Sequence, residues 1–198
     1  MSHLRLFLLV CAFSVPLSAQ RQELGLTLGR LLSNEQSSPG GRFDLKSGAA
    51  LQANYAIRII DSATAALLGE VHVLASQGRD VTSTVTGATR DFATLYITPG
   101  IRVKLAPNRR ISPYFTIGGG YALYEQSTMT IAGLPNSAPR HIHRGVFSFG
   151  GGVDAAVLRW LGLRFEVRDF YSGRPALNIT APGGLHNVVL GGGFVLKF

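Results

Sequence analysis

The sequence predicts an all-β fold: an eight-stranded antiparallel up-and-down barrel that crosses a membrane with its strands. Three observations predict it. Apolar and polar residues alternate with a period of two through eight segments, near residues 21–32, 48–60, 65–76, 90–105, 111–126, 143–157, 161–171 and 185–198, the pattern of strands with two unlike faces. The connections between those segments alternate short and long. The chain opens on a stretch laid out as an export signal.

Taken in order, Met1 to Arg5 carries one positive charge, Leu6 to Val15 is a short apolar run, and Pro16-Leu17-Ser18-Ala19 offers a small residue before Gln20. This is a cleavable signal peptide over 1–19, well short of the roughly 20 apolar residues of a spanning helix. The barrel domain is then 20–198. Cys11 follows Leu8-Leu9-Val10, but Val10 is bulky where a lipid-anchor signal needs a small residue, so Cys11 belongs to the signal. It is also the only cysteine, so the exported chain has no disulfide and must be held by packing, a metal or a membrane. Loss of Arg5 takes the formal net charge from +8 to +7. The basic residues are scattered, with no run beyond Arg109-Arg110, which argues against a nucleic-acid surface.

The strand segments share one design. In the second, Leu51, Ala53, Tyr55, Ile57 and Ile59 share a face opposite Gln52, Asn54 and Arg58. In the third, Leu67, Val71, Val73 and Ala75 oppose Glu70 and His72. In the fourth, Leu95, Ile97, Ile101, Val103 and Leu105 oppose Thr94, Thr98, Arg102 and Lys104. The seventh alternates Leu161, Leu163, Phe165 and Val167 with Arg164, Glu166 and Arg168. The eighth sets Val188, Leu190, Phe194, Leu196 and Phe198 against Asn187 and Lys197. Glu23, Arg144 and Asp154 also fall on the polar face. Arg30 breaks the rule at the end of the first segment, where a membrane interface tolerates it. Pro99 is a second irregularity, suited to an edge or bulge.

Alternation alone does not say which face is outside. The apolar face is crowded with Leu, Ile, Val, Phe and Tyr, too bulky for the narrow interior of an eight-stranded barrel. The polar face carries small residues, among them Gly118, Gly120, Gly150, Gly152, Gly191 and Gly193. The apolar face therefore meets lipid, and a closed barrel leaves no backbone edge unpaired there. Inside, Arg58, Arg102, Lys104, Arg144, Arg164 and Arg168 are expected to pair with Glu23, Glu70, Asp154 and Glu166. Connections 61–64, 106–110 and 158–160 are short; 33–47, 77–89, 127–142 and 172–184 are long and polar. That places tight turns and both termini at the periplasmic end and long loops outside. Residues 80–89 and 128–131 are rich in Thr, Val and Ile, so strands are expected to continue beyond the bilayer as a raised rim.

The terminal stretch Gly191-Gly192-Gly193-Phe194-Val195-Leu196-Lys197-Phe198 and the hairpin Ile111-Ser112-Pro113-Tyr114-Phe115-Thr116-Ile117-Gly118-Gly119-Gly120-Tyr121 resemble the small eight-stranded outer-membrane barrels of the OmpA-barrel, OmpX and opacity-protein type. The resemblance covers the whole mature chain. It implies residence in the bacterial outer membrane among lipid and lipopolysaccharide. It also implies insertion by the barrel-assembly machinery, which reads a final strand ending on an aromatic such as Phe198. An extracellular ligand at the long loops fits the same type. Because the chain stops at the barrel, no peptidoglycan-binding domain is expected.

Other motifs have plain structural readings. The glycine triads at 118–120, 150–152 and 191–193 precede no helix and no Gly-Lys-Ser, so they read as curvature devices rather than phosphate loops. His141 and His143 share a face but lack Cys or acidic neighbours, so they read as a solvated pair rather than a metal site. Asn178-Ile179-Thr180 matches a glycosylation acceptor by accident. Glu70, His72 and Ser148 could be drawn as a triad, but a lumen hydrogen-bond network explains them with less. No catalytic, cofactor-binding or metal residue is assigned. The expected function is structural and surface-displaying, not enzymatic. The alternatives are a lipid A-modifying enzyme, as in the deacylases and palmitoyl transferases built on similar barrels, and a narrow channel.

Overall fold

The computed structural model describes residues 22–33, 36–38, 41–84, 86–173 and 184–198. The signal peptide over 1–19, Asn178-Ile179-Thr180 and most of the fourth long connection lie outside them. Among the described residues the chain forms β1 Gln22–Ser33, β2 Gln36–Ser38, β3 Gly41–Leu45, β4 Gly48–Asp61, β5 Ala65–Ser83, β6 Asp91–Leu105, β7 Ile111–Gln126, β8 His141–Ala156, β9 Leu161–Gly173 and β10 Gly184–Lys197. Setting β2 and β3 aside, eight strands pair antiparallel, each with the next in the chain. β10 then closes on β1 from Glu23–Lys197 to Ser33–Asn187. Gln22 N–H donates to the Phe198 carbonyl at 2.9 Å and Phe198 N–H to the Gln22 carbonyl at 3.0 Å, sealing the seam at the termini. No wall strand is left with an edge, as a bilayer requires.

The eight expected segments match the eight wall strands. The hairpin of β2 and β3 is an addition: it lies inside the first long connection, and β3 pairs with the end of β5 from Phe43–Ser83 to Leu45–Val81. Strands of three and five residues are too short to show a period, which is why alternation did not find them. β5 runs to Ser83, past residue 76, because a bulge between Ser76 and Arg79 absorbs the irregularity that ended the sequence pattern. Gly78, at φ +64°, sits in that bulge, where a left-handed backbone favours glycine. At Pro99 the β6–β7 ladder lapses between Ile97–Tyr121 and Gly100–Gly118 and then resumes in the same register.

The wall has the polarity inferred from the sequence. Leu28 is 70% exposed, Phe115 65%, Ile59 65% and Phe165 62%, while Gln52, Arg102, Glu70 and Arg164 are buried. An exterior this apolar exceeds what water tolerates, and lipid covers it. Arg30 stands on the outer face near the loop end, as an interfacial cation. Exposed Tyr121, Phe147 and Tyr171 lie toward that end on the adjacent strands β7, β8 and β9, and exposed Trp160 and Phe198 at the other. Inward glycines let the wall bend tightly: a Cβ at Gly120 would strike the Ile97 carbonyl, and one at Gly193 the Leu26 carbonyl.

Candidate functional site

The lumen is built in two storeys. Inward positions of β1, β5, β6, β8 and β9 bring Glu23, Glu70, Arg102, Lys104, Asp154, Arg164, Glu166 and Arg168 together in the half nearer the termini, each at most 4% exposed. Lys104 Nζ lies 2.5 Å from Glu23 Oε1 and 2.7 Å from Asp154 Oδ2. Arg164 grips Asp154 through Nε and Nη2, at 2.7 and 2.8 Å, and donates to Asn54 Oδ1 at 3.0 Å. Arg168 bridges Glu70 at 2.7 Å and Glu166 at 3.0 Å. Arg102 pairs with Glu70. Tyr114 donates to Glu166 at 2.5 Å, with the guanidinium groups of Arg102 and Arg164 over its ring at 4.4 and 5.0 Å. Four cations face four anions, so the cluster is close to neutral and its desolvation is offset by pairing at short range.

Two residues expected in this network stand elsewhere. Arg58 pairs with Asp61 at 3.1 Å at the end of β4 that lies with the termini. Arg144 is exposed at the opposite rim, between buried Ile142 and Val146, and donates to the His143 carbonyl. Alternation gives the face a residue points to but not its height in the barrel. A salt bridge needs both.

The outer storey departs further from a polar lumen. Leu31, Leu74, Phe92, Tyr96, Tyr124, Phe170, Leu185 and Val189 form a buried apolar cluster there. Tyr96 stacks on Phe170 at 4.9 Å between centroids. The two tyrosine hydroxyls meet at 3.0 Å, Tyr124 reaches Ser172 at 2.5 Å, and Asn187 Nδ2 donates to Tyr96 at 2.8 Å. Arg79 donates to Asn187 Oδ1 at 3.2 Å and lies over the Phe92 ring. The signal was present in the sequence: Phe92, Tyr96, Tyr124 and Phe170 sit at inward parity, two or four residues from polar inward neighbours.

Above this plug the loops are structured. Residues 86–91 and 127–132 form a further ladder: Ile131 N–H donates to Ala88 at 2.9 Å, Arg90 N–H to Met129 at 3.1 Å, and Thr89 bridges Thr130. With β3 on the end of β5, this makes the raised rim expected at 80–89 and 128–131.

The remaining candidates are separate from one another. The His72 ring lies tilted against Phe170, 5.7 Å between centroids, and neither its ring nitrogens nor Ser148 Oγ has a hydrogen-bond partner among the described residues, so Glu70, His72 and Ser148 form no relay. His141 and His143 are both exposed, and His143 contacts the Tyr121 hydroxyl. On the outer wall at the same level, His186 Nδ1 lies 2.6 Å from Asp169 Oδ2, with the Tyr171 ring 4.7 Å away.

No protein-family model matches the chain, and no curated protein does. Solved structures do. Neisserial surface protein A superposes with a TM-score of 0.62 at 16% identity, over 89% of this chain and 97% of that one. The outer membrane protein OprG from Pseudomonas aeruginosa gives 0.59 at 14%, over 91% and 96%. The outer membrane enzyme PagL gives 0.50 at 14%, over 89% and 99%. At such identities the likeness speaks for fold, and it agrees with the closed wall. The chain has the fold of the small eight-stranded β-barrels of the bacterial outer membrane.

Proposed function

We propose that this barrel is a structural and surface-display protein of the outer membrane, whose rim meets an extracellular partner and whose lumen carries no solute. The observation that supports this most directly is the two-storey filling. Among the described residues, four cations and four anions and then stacked aromatics fill the interior, which leaves little width for a solute. The rim supports the display role, since paired loops hold a fixed shape outside the bilayer and present exposed Leu134 and Met129. The final strand, with Phe198 directly after it, is the segment offered to the assembly machinery.

Single-channel recording of the purified barrel in planar bilayers tests the sealed lumen. The expected trace is flat, and long-lived open steps of the size given by general porins would sink the proposal. A second reading, a lipid-modifying enzyme, is favoured by the Asp169–His186 pair on the lipid-facing wall, an arrangement able to polarise an imidazole. Lipid A acyl-chain analysis of cells with and without the protein separates the two readings, and an unchanged acyl pattern is expected.

A further inference from the structure

The end of the barrel that holds the termini carries a concave basic site. Three segments converge on it: the turn after β6 gives Pro107, Asn108 and Arg109, the turn after β8 gives Ala156, Leu158 and Arg159, and β10 gives Lys197. They enclose an open concavity of about 480 Å³ with no carboxylate among its lining residues. No ion pair to Arg109, Arg159 or Lys197 exists among the described residues. The acidic side chains nearest this end are already engaged, Asp61 by Arg58, and Glu23 and Asp154 by Lys104 and Arg164.

The site is also built rather than casual. Ala106 holds φ +46°, a left-handed conformation that a residue with a Cβ rarely adopts. It is locked there by its N–H on the Thr64 carbonyl at 2.8 Å and by Ser112 Oγ, which donates to the Ala106 carbonyl at 2.9 Å. Arg109 N–H closes the same turn on Ala106 at 3.0 Å. The three segments are stitched together: Ala156 N–H donates to Arg110 at 2.7 Å, and Lys197 N–H to Trp160 at 2.9 Å. Beside the cations, Val157, Leu158 and Trp160 are 57%, 49% and 54% exposed.

Cations with no ion-pair partner among the described residues, next to exposed aliphatic groups and an indole at a membrane boundary, match a ligand that is anionic at one end and apolar at the other. A soluble anion would have no use for the apolar half. We infer that this concavity binds the phosphodiester headgroup of an anionic glycerophospholipid from the periplasmic leaflet, with Arg109, Arg159 and Lys197 on the phosphate and Leu158 and Trp160 against the glycerol and upper acyl chains. The inference rests on the membrane-spanning reading above and names a lipid that this surface selects.

Trp160 is the only tryptophan in the chain and adjoins Arg159, so its emission reports on this end of the barrel. The mature barrel is refolded into phosphatidylcholine vesicles containing an equal, low fraction of brominated phosphatidylglycerol or of brominated phosphatidylcholine. Quenching of Trp160 by the anionic lipid should exceed that by the zwitterionic one by roughly fivefold or more, the enrichment that one cation near an anionic surface gives. Arg109→Gln with Arg159→Gln should equalise the two lipids while the folded band on unheated gels stays unchanged. Equal quenching in the unaltered protein would overturn the inference, whatever the variants do. Titration with inorganic phosphate or soluble peptidoglycan fragments, in vesicles lacking anionic lipid, should leave Trp160 emission unchanged. A saturable response to either would reassign the site to that ligand and overturn the lipid proposal. Failure of the barrel to enter vesicles at all would instead count against the membrane reading itself.

Discussion

Glu166 shows how much one residue can carry in this lumen. Its two oxygens accept from Arg168 at 3.0 Å and from Tyr114 at 2.5 Å, in surroundings it shares with Arg102, and it is 3% exposed. Replacing it by alanine leaves the buried Tyr114 hydroxyl and Arg168 Nε without their acceptor and the cluster with one uncompensated positive charge, although Arg168 keeps Glu70, a loss of about 3–5 kcal/mol. Glu125 makes an equally short pair with Arg140, at 2.5 Å, but on exposed side chains, where such pairs contribute about 0–1 kcal/mol. Glu166→Ala should thus lower the midpoint of urea unfolding from detergent or lipid far more than Glu125→Ala does. Similar shifts in the two variants would mean that the lumen is hydrated and the pairs are screened. Gly120 makes the matching steric case: a side chain there meets the Ile97 backbone carbonyl, which cannot move aside. Gly120→Val should reduce the yield of the folded, heat-modifiable form, and normal folding would show that the β6–β7 wall gives way more easily than its geometry suggests.

At the scale of elements, the rim is where composition and pairing meet. Its β-prone loops do not wander, because β5 extends past its bulge to hold β3, and because 86–91 pairs with 127–132. The small hairpin around Met129–Pro135 stands on that ladder, held by Thr130, whose N–H and hydroxyl both bond the Leu134 carbonyl, at 2.8 and 3.1 Å. Replacing residues 128–136 by a short Gly-Ser connection removes an exposed apolar feature and leaves the wall strands intact. Folded protein in the membrane should be unchanged, while attachment of cells to the surface or ligand they bind should fall. Attachment that persists after this replacement would leave the structural role standing and remove the third outer loop as its contact.

For the whole molecule, closure and orientation are the properties that matter. Termini and short turns lie at one end and long connections at the other, so the expected orientation puts the long connections outside. A cysteine at exposed Ser137 should therefore react with an impermeant thiol reagent on intact cells, whereas one at exposed Ser62 or Asn108 should react only after the outer membrane is breached. The reverse pattern would turn the barrel over and would place the basic concavity of Arg109, Arg159 and Lys197 at the cell surface.

The division between what was legible in the sequence and what was not follows from the range of the physics involved. Strand number, face polarity, the lipid-facing exterior and the short-long order of connections are local: each needs only side-chain parity along one strand, and parity survives any choice of partner strand. The sequence by itself determined those, and it named all eight charged residues of the lumen cluster. Tertiary structure alone decided at what height each inward residue meets its neighbours. Height comes from the stagger of strands around a closed wall, so Lys104 finds Glu23 across 81 residues while Arg144, of the same parity, ends at the rim. The same stagger gathers Phe92, Tyr96, Tyr124 and Phe170 into a plug, and it sets Arg109, Arg159 and Lys197 around one concavity, although no two of the three share a segment.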